Sequence, residues 1–264
     1  MPIYTPKGDN NMTNAFTNAD RTVLRVAGAD RESFLEGLVS NAVARVAEGP
    51  VYAAMLSPQG KYLFDFIMSS GKDSILLDVH TSRAAALAQR LAMYRLRADV
   101  EITDTGLAVL QGFDAMPEGA FMDPRSDTLG WRMYGDGCGV PVLDTAAWDA
   151  LRVAHEIPET GAELLPDDCY ILEVGFERLN GVDFRKGCYV GQEVTARMKH
   201  KTELKKGLVR VSVEGDAVAG TPITVDGKPA GTLHTVSGDQ GLAYLRFDRA
   251  KGDMQAGGAV IRRV

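Results

Sequence analysis

The sequence predicts an α+β protein with a small β-barrel at its C-terminus. In the first half, short alternating segments and helical stretches follow the order strand, helix, meander, helix, strand, which is typical of an antiparallel sheet with helices on one face. After 206, short strands separated by Gly-, Asp- and Lys-containing turns are typical of a small barrel. A chain of 264 residues exceeds the usual size of one domain, so more than one compact unit is expected.

The elements of the first half follow from hydrophobic period and from turn residues. Asp30 is a suitable N-cap, and the Ser57-Pro-Gln-Gly60 tetrapeptide suits a type I turn between two strands. Ala, Leu and Arg content favours a long helix before Arg97. The predicted strands are 22–27, 51–57, 62–68, 74–79, 100–102 and 107–111, and the predicted helices are 31–40 and 82–97.

The second half is predicted to contain two helices and then the barrel. The helices are expected over 146–156 and 167–178, and the barrel strands over 207–213, 221–225, 231–236, 242–246 and 259–261. The resulting domain prediction is a polar flexible leader over 1–19, a core over 20–205 and the barrel over 206–264.

Cysteine usage and hydropathy indicate the compartment. Cys138, Cys169 and Cys188 are scattered, which argues against a disulfide framework and for a reducing setting. No apolar run approaches the length of a membrane span, and residues 1–19 lack a hydrophobic signal region. These observations predict a cytoplasmic protein that does not bind membranes.

Positive charge is concentrated in one strip of an otherwise acidic chain. The formal net charge is −6, yet 185–210 contains eight Lys or Arg residues and only two acids. Such a strip in an acidic protein suits a small anionic ligand better than it suits wrapping duplex DNA, so no direct DNA binding is expected. A solvated face is the alternative interpretation.

The stretch 185–200 holds the residues best suited to catalysis or ligand binding. Cys188 lies between two glycines that permit unusual backbone angles, and Arg185 and Lys186 precede it. Neighbouring bases stabilise a thiolate, so Cys188 could act as a nucleophile or as a soft metal ligand. Gln192 and Glu193 could hydrogen-bond a ring that carries N–H donors. The alternative is a loop before a strand with Cys188 as a small buried residue.

The run from Lys186 to Glu193 resembles the signature of the YgfZ-type folate-binding proteins, whose common core is Lys-Gly-Cys-Tyr-x-Gly-Gln-Glu. Residues 26–41 and 56–65 resemble the first helix and first hairpin of that family. Its members are bacterial relatives of a mitochondrial iron–sulfur assembly factor and distant cousins of the glycine-cleavage T-protein, an aminomethyltransferase. The resemblance implies a T-protein-like fold, with two intertwined α+β lobes around a central opening that holds tetrahydrofolate, and the barrel beside them.

A set of site residues follows from the matched motifs and the adjoining basic strip. Cys188 and Asp65 are the catalytic candidates. The basic strip suits the glutamate tail of a folate, including a polyglutamylated one. The predicted folate-binding residues are Asn41, Gln59, Lys61, Asp65, Lys186, Tyr189, Gln192, Glu193 and Arg197.

Several of these residues have structural alternatives. Asn41 could simply cap the first helix, and Tyr189 could be a buried core residue rather than a stacking partner for a pterin. Gln59 and Lys61 lie at a hairpin tip, which is usually solvated. Arg197, in a stretch predicted to be extended, could clamp a carboxylate in bidentate fashion.

Asp65 needs separate treatment because it marks a departure from the T-protein. It alternates with Phe64 and Phe66, so it should face away from them, either into a cavity or into solvent. The T-protein carries two successive aspartates here, of which only Asp65 is present. A T-protein glutamate also corresponds to Ala154 in the stretch 151–156. These losses put aminomethyltransferase activity in doubt, because fold alone does not carry function.

No metal site is expected within one chain, since Cys-x-x-Cys is absent and the histidines lie far from a second ligand. A cluster bridged between partners stays open. The leading hypothesis is a folate-binding accessory protein that acts with iron–sulfur assembly proteins or client enzymes in the maturation or repair of iron–sulfur proteins, and affects tRNA modification indirectly. The alternatives are a folate-dependent aminomethyltransferase or methyltransferase and, third, a tRNA-binding module that uses the basic strip.

Overall fold

The structure is a computed structural model that describes residues 15–201 and 203–264, with residue 201 described by its backbone only. Contacts divide the chain into two units. Unit 1 runs to Leu143 and resumes over Glu177–Gln192, and unit 2 comprises Asp144–Phe176 and Glu193–Val264. Of the predicted 1–19 leader, residues 1–14 lie outside the described part. Residues 16 and 17 form a strand, so regular structure starts before residue 20.

Unit 1 contains two antiparallel sheets. The larger sheet has the strand order β3-β4-β5-β2-β6, and the smaller has the order β1-β7-β9-β8. Short 3-10 helices occur at Val43–Ala47 and Asp127–Leu129. The elements, in chain order, are β1 (Phe16–Thr17), β2 (Arg21–Ala27), α1 (Arg31–Glu36), β3 (Val51–Leu56), β4 (Tyr62–Gly71), β5 (Ser74–His80), α2 (Thr81–Arg95), β6 (Glu101–Asp104), β7 (Ala108–Gly112), β8 (Phe121–Met122) and β9 (Trp131–Gly135).

The core of unit 1 lies between the five-stranded sheet and its helices. Alternation along the strands puts Phe64, Phe66 and Leu77 on the helix side, where they pack with Leu35 of α1 and Leu87 of α2. The intervening residues of the same strands face the other side of the sheet. The predicted placement of Asp65 opposite its two phenylalanine neighbours is therefore confirmed.

Unit 2 contains two helices and a closed six-stranded barrel of order β10-β13-β12-β11-β14-β15, in which β15 pairs again with β10. Asp226 and Gly227 have positive φ and join β11 to β12 in the manner of a type I′ turn. Its elements are α3 (Thr145–His155), α4 (Gln192–Lys201, whose first residue is grouped with unit 1), β10 (Lys206–Glu214), β11 (Pro222–Val225), β12 (Lys228–Ser237), β13 (Gln240–Arg246), β14 (Met254–Ala256) and β15 (Ala259–Arg263).

Three local predictions are wrong. Residues 167–178 form turns and no helix, because Asp167 and Gly175 adopt positive φ, which interrupts a right-handed helix. The stretch that contains Arg197 is helix α4 and is not extended, since the helix-forming residues of 192–201 outweigh two β-branched ones. The first helix ends at Glu36 instead of at 40, just before Gly37.

In the part of the chain that the structure describes, no helix is both long enough and apolar enough to cross a bilayer.

Candidate functional site

The motif residues 185–192 form an irregular loop of unit 1, which we call the motif loop, and helix α4 begins at its end. Two backbone hydrogen bonds connect this part of the chain to the segment after α1. The Val190 N–H donates to the Gly37 carbonyl at 3.2 Å, and the Asp183 N–H donates to the Ser40 carbonyl at 3.0 Å. The loop is therefore held in place by the first helix and the residues that follow it.

Lys186 anchors the motif loop. Its Nζ donates to the carbonyls of Glu36 and Val39, each at 2.7 Å, and to the carbonyl of Asn41 at 3.2 Å. It also lies 3.2 Å from the Glu36 carboxylate, and its side chain is 1% exposed. Burial lowers the pKa of Lys186, and Glu36 offsets part of this effect. An ammonium group has three N–H donors, so the three carbonyls and the Glu36 carboxylate together occupy all the donors of Lys186.

Gly191 lies close to the backbone of the β3–β4 turn. It has a φ of +84°, and a Cβ built on it would lie 2.6 Å from the Ser57 carbonyl oxygen and 3.1 Å from the Cα of Gly60. Any larger residue would therefore collide with the β3–β4 turn, and would also be strained at this φ. The motif loop and the predicted first hairpin thus meet directly.

Cys188 and Tyr189 are adjacent but differ sharply in exposure. Cys188 is a free, exposed cysteine, whereas Tyr189 is only 8% exposed and lies under the Lys186 ammonium, 5.1 Å from Nζ to the ring centroid. Burial of Cys188, the structural alternative, is therefore excluded. Of the other cysteines, Cys138 is exposed and Cys169 is buried.

Asn41 is buried within unit 1 and its side chain is fully engaged there. Its Nδ2 donates to the carbonyls of Tyr52 at 2.9 Å and Asn180 at 2.7 Å. Its Oδ1 accepts from the Ala42 N–H at 3.0 Å and from Arg45 at 3.2 Å. These contacts make Asn41 a junction that connects the segment after α1 with β3 and with the chain before the motif loop.

Asp65 is 2% exposed, so the interpretation as a solvent-exposed strand aspartate is wrong. Its carboxylate accepts hydrogen bonds from the hydroxyls of Tyr52 at 3.0 Å and Tyr62 at 2.7 Å. Burial raises the pKa of Tyr52 well above its ordinary value, and the charge of Asp65 adds to the effect. Both phenols therefore act as hydrogen-bond donors to a buried carboxylate.

The remaining predicted residues lie nearer the surface. Gln59 is exposed at the β3–β4 turn, Lys61 is half-buried, and Gln192 is half-buried with its Nε2 at 3.4 Å from the Gly187 carbonyl. Glu193 and Arg197 form an ion pair across one turn of α4, with side chains 83% and 60% exposed. Unit 1 thus brings Asn41, Gln59, Lys61, Asp65, Lys186, Tyr189 and Gln192 into one connected region, and Glu193 and Arg197 belong to unit 2.

Sequence reasoning missed a buried network of charges beside this region. Asp78 accepts from Arg21 at 2.6 Å and from Arg132 at 2.9 Å, and Asp123 accepts from Arg132 at 2.7 Å and Arg125 at 2.9 Å. Burial alone would raise the pKa of Asp123, but the two guanidinium groups outweigh it and hold that pKa well below its usual range. Asp78 in β5 and Arg132 in β9 are charged residues inside strands, and they were the available signal.

Comparison with known proteins identifies relatives for most of the chain. Residues 205–263 match the model of the CAF17 C-terminal beta-barrel domain. The chain is 32% identical over 278 residues to the iron–sulfur cluster assembly factor IBA57, mitochondrial, of Mus musculus, across 89% of this chain and 78% of the mouse protein. The human protein of the same name is 31% identical over 276 residues, with the same coverage of 89% and 78%.

The fold also has a solved relative. It is similar to the crystal structure of the glycine cleavage system aminomethyltransferase T from Bartonella henselae, with a TM-score of 0.74 over 95% of this chain and 84% of that chain. At 13% identity this likeness concerns the fold alone. The prediction of a T-protein-like α+β fold with a C-terminal β-barrel is confirmed.

The prediction of a cytoplasmic protein is wrong, because the matching assembly factors are named as mitochondrial proteins. Unpaired cysteines report a reducing environment, and they do not distinguish one reducing compartment from another.

Proposed function

This chain belongs to the IBA57 family of iron–sulfur cluster assembly factors, and we propose that it acts in the maturation or repair of iron–sulfur proteins through the thiol of Cys188. The main support is the geometry of the motif loop. The thiol is exposed, while Lys186 and Tyr189 on either side are buried and fix the backbone. A sulfur held in this way can meet a partner without any unfolding of the loop.

We propose that Cys188 contributes one sulfur ligand to a cluster that is shared with an assembly protein or a client enzyme. A thiolate is a soft ligand that suits iron. Among residues 15–201 and 203–264, no group of three or more His, Cys, Asp or Glu side chains could hold a metal ion. The other ligands would therefore come from the partner, and the cluster would be cargo. Effects on tRNA modification would then be indirect, through modifying enzymes that need clusters.

We further propose that the chain binds tetrahydrofolate, as the resemblance of its motif to YgfZ-type proteins implies. The fit of the predicted residues to this ligand is uneven. Gln59, Lys61, Gln192, Glu193 and Arg197 are exposed or half-buried, and they have side chains suited to pterin edges or to carboxylates.

The other predicted folate-binding residues are buried. Asn41, Asp65, Lys186 and Tyr189 make contacts within unit 1, so we assign them to support of the site rather than to direct ligand contact. A bound tetrahydrofolate would supply a carrier for one-carbon units. The protein groups would bind and orient it, and the positive charge of the basic strip suits its anionic tail.

Complementation of cells that lack the protein tests the role of the thiol. Cys188→Ser keeps nearly the same volume and removes the sulfur, and it should fold and bind folate yet fail to restore the activity of iron–sulfur enzymes. Cys138→Ser is the matched control, because Cys138 is also a free, exposed cysteine. It should restore activity fully. Full rescue by the Cys188 variant would refute the assignment, since a hydroxyl cannot replace a thiolate as a soft ligand.

A further inference from the structure

Unit 1 contains a cavity of about 470 Å³ that none of the predicted folate-binding residues lines. Its wall is formed by residues of both sheets of unit 1, near the turn between β4 and β5. A volume of this size falls within the range of roughly 300–1,000 Å³ that is typical of small-molecule sites. The cavity is therefore a candidate site separate from the motif loop.

Strand register explains one wall of the cavity. Arg25 on β2 pairs directly with Leu76 on β5 and with Thr103 on β6, so the three side chains lie side by side on one face of the larger sheet. Lys72 comes from the β4–β5 turn, Phe121 and Tyr134 come from β8 and β9, and Asp104 ends β6. This part of the wall is built on paired strands.

Two aromatic rings contribute an apolar surface to the cavity. Phe121 on β8 and Tyr134 on β9 both line the cavity, and their rings meet edge to face with centroids 5.4 Å apart. Together with Leu76 they provide an apolar space that would suit a flat or narrow hydrocarbon group.

Charge at the cavity is predominantly positive. The half-buried Arg25 side chain makes no ion pair or hydrogen bond within the part of the chain that the structure describes. Lys72 lines the cavity from the exposed turn. The acidic residue there, Asp104, accepts a hydrogen bond from the Gly106 N–H at 2.9 Å. A guanidinium beside an apolar space is suited to a carboxylate, which it can bind through two parallel hydrogen bonds.

We propose that this cavity binds a small amphipathic organic anion, with its carboxylate on Arg25 and its apolar body between Leu76 and the Phe121–Tyr134 pair. The proposal concerns a second ligand site and does not depend on the function proposed for Cys188.

Fluorine NMR of the full chain tests whether the anion binds in this cavity. The protein is labelled with 4-fluorophenylalanine at its nine phenylalanines, and the Phe121 resonance is assigned with Phe121→Leu. Biphenyl-4-carboxylate is titrated as the probe, and biphenyl-4-carboxamide serves as its uncharged counterpart. We expect the carboxylate to shift the Phe121 resonance saturably and to leave that of the buried Phe176 in unit 2 unchanged. The absence of a saturable shift at Phe121 would overturn the proposal.

Removal of the Arg25 charge tests whether this side chain recognises the carboxylate. Arg25→Gln should weaken binding of the carboxylate by about tenfold and should leave binding of the amide unchanged. Arg97→Gln makes the same change at an exposed position and should have no effect on either probe. Equal affinity of the unsubstituted protein for carboxylate and amide would refute the anion site. So would an Arg25→Gln variant that folds and binds the carboxylate as tightly as the unsubstituted protein.

Discussion

Replacement of Lys186 by methionine should loosen the motif loop without unfolding the rest of the protein. The substitution keeps an apolar chain of similar length and removes the ammonium that meets three carbonyls and the Glu36 carboxylate. A hydrogen bond to a charged group contributes about 1.5–3 kcal/mol, but the burial cost that lowers the pKa of Lys186 offsets part of this. We expect the stability of the motif loop to fall by about 3 kcal/mol. This value is toward the lower end of the range for breaking a buried ion pair, because the Glu36 side chain is partly exposed.

Hydrogen exchange measures this loss locally. The Val190 amide donates to the Gly37 carbonyl, so its exchange reports opening of the motif loop. A loss of about 3 kcal/mol corresponds to exchange roughly a hundredfold faster at this amide. Lys251→Met, at an exposed position in unit 2, should change exchange by less than about threefold. An unchanged Val190 amide in Lys186→Met would show that other contacts hold the loop.

The lowered pKa adds a test with pH. The unfolded chain holds the Lys186 proton more tightly than the folded chain does. The contribution of Lys186 to the free energy of unfolding therefore rises with pH. The rise should occur between the lowered pKa and the ordinary value of 10.5, and it should be absent from Lys186→Met. Urea unfolding of both proteins across this pH range measures it. Parallel pH profiles would contradict the assignment of the shift to Lys186.

Three further predictions concern the proposed site. Iodoacetamide at neutral pH should label Cys188 faster than Cys138, and the buried Cys169 slowest, and peptide mapping that finds Cys188 no faster than Cys138 would count against a functional thiol. Purified protein given tetrahydrofolate and a methylene donor should form no methylene-tetrahydrofolate, whereas turnover that Asp65→Asn abolishes would favour the aminomethyltransferase alternative. Tetrahydrofolate with additional glutamates on its tail should bind more tightly in calorimetry. Arg197→Ala should weaken this binding by about two- to fivefold, because an exposed ion pair contributes that much. Equal affinity for mono- and polyglutamate forms would leave the basic strip without a role.

The strands of the larger sheet could be predicted from short apolar runs bounded by turn residues. Strand β3 and most of β4 are buried on both faces, so alternation was not the main signal there, and β2, β4 and β5 lie where they were predicted. In the barrel, the three-residue strand β14 is too short to show any period, and it was missed. The turns of 167–178 were mistaken for a helix because left-handed residues were not apparent from the sequence.

The candidate site could be outlined from the sequence, but the contacts of its residues could not. The motif residues form one loop, and its exposed cysteine lies in it. Lys186, however, was predicted to bind folate, and its carbonyl partner in Glu36 is 150 residues away in the chain. The buried pair of Asp78 and Arg132 is separated by 54 residues. Contacts at such distances depend on the assembled fold, so composition and spacing do not disclose them.

The strand edges of this protein restrict how a partner can dock. A closed barrel pairs every strand on both sides, so the barrel of unit 2 offers no backbone edge to a strand from another protein. The larger sheet of unit 1 ends at β3 and β6. Val39 bridges to Met55 at the β3 edge, and the four-residue β6 exposes Glu101 and Asp104. Short and charged edges resist strand addition. At the barrel and at the edges of the larger sheet, a partner is therefore expected to recognise side chains and loops, and not to extend a sheet.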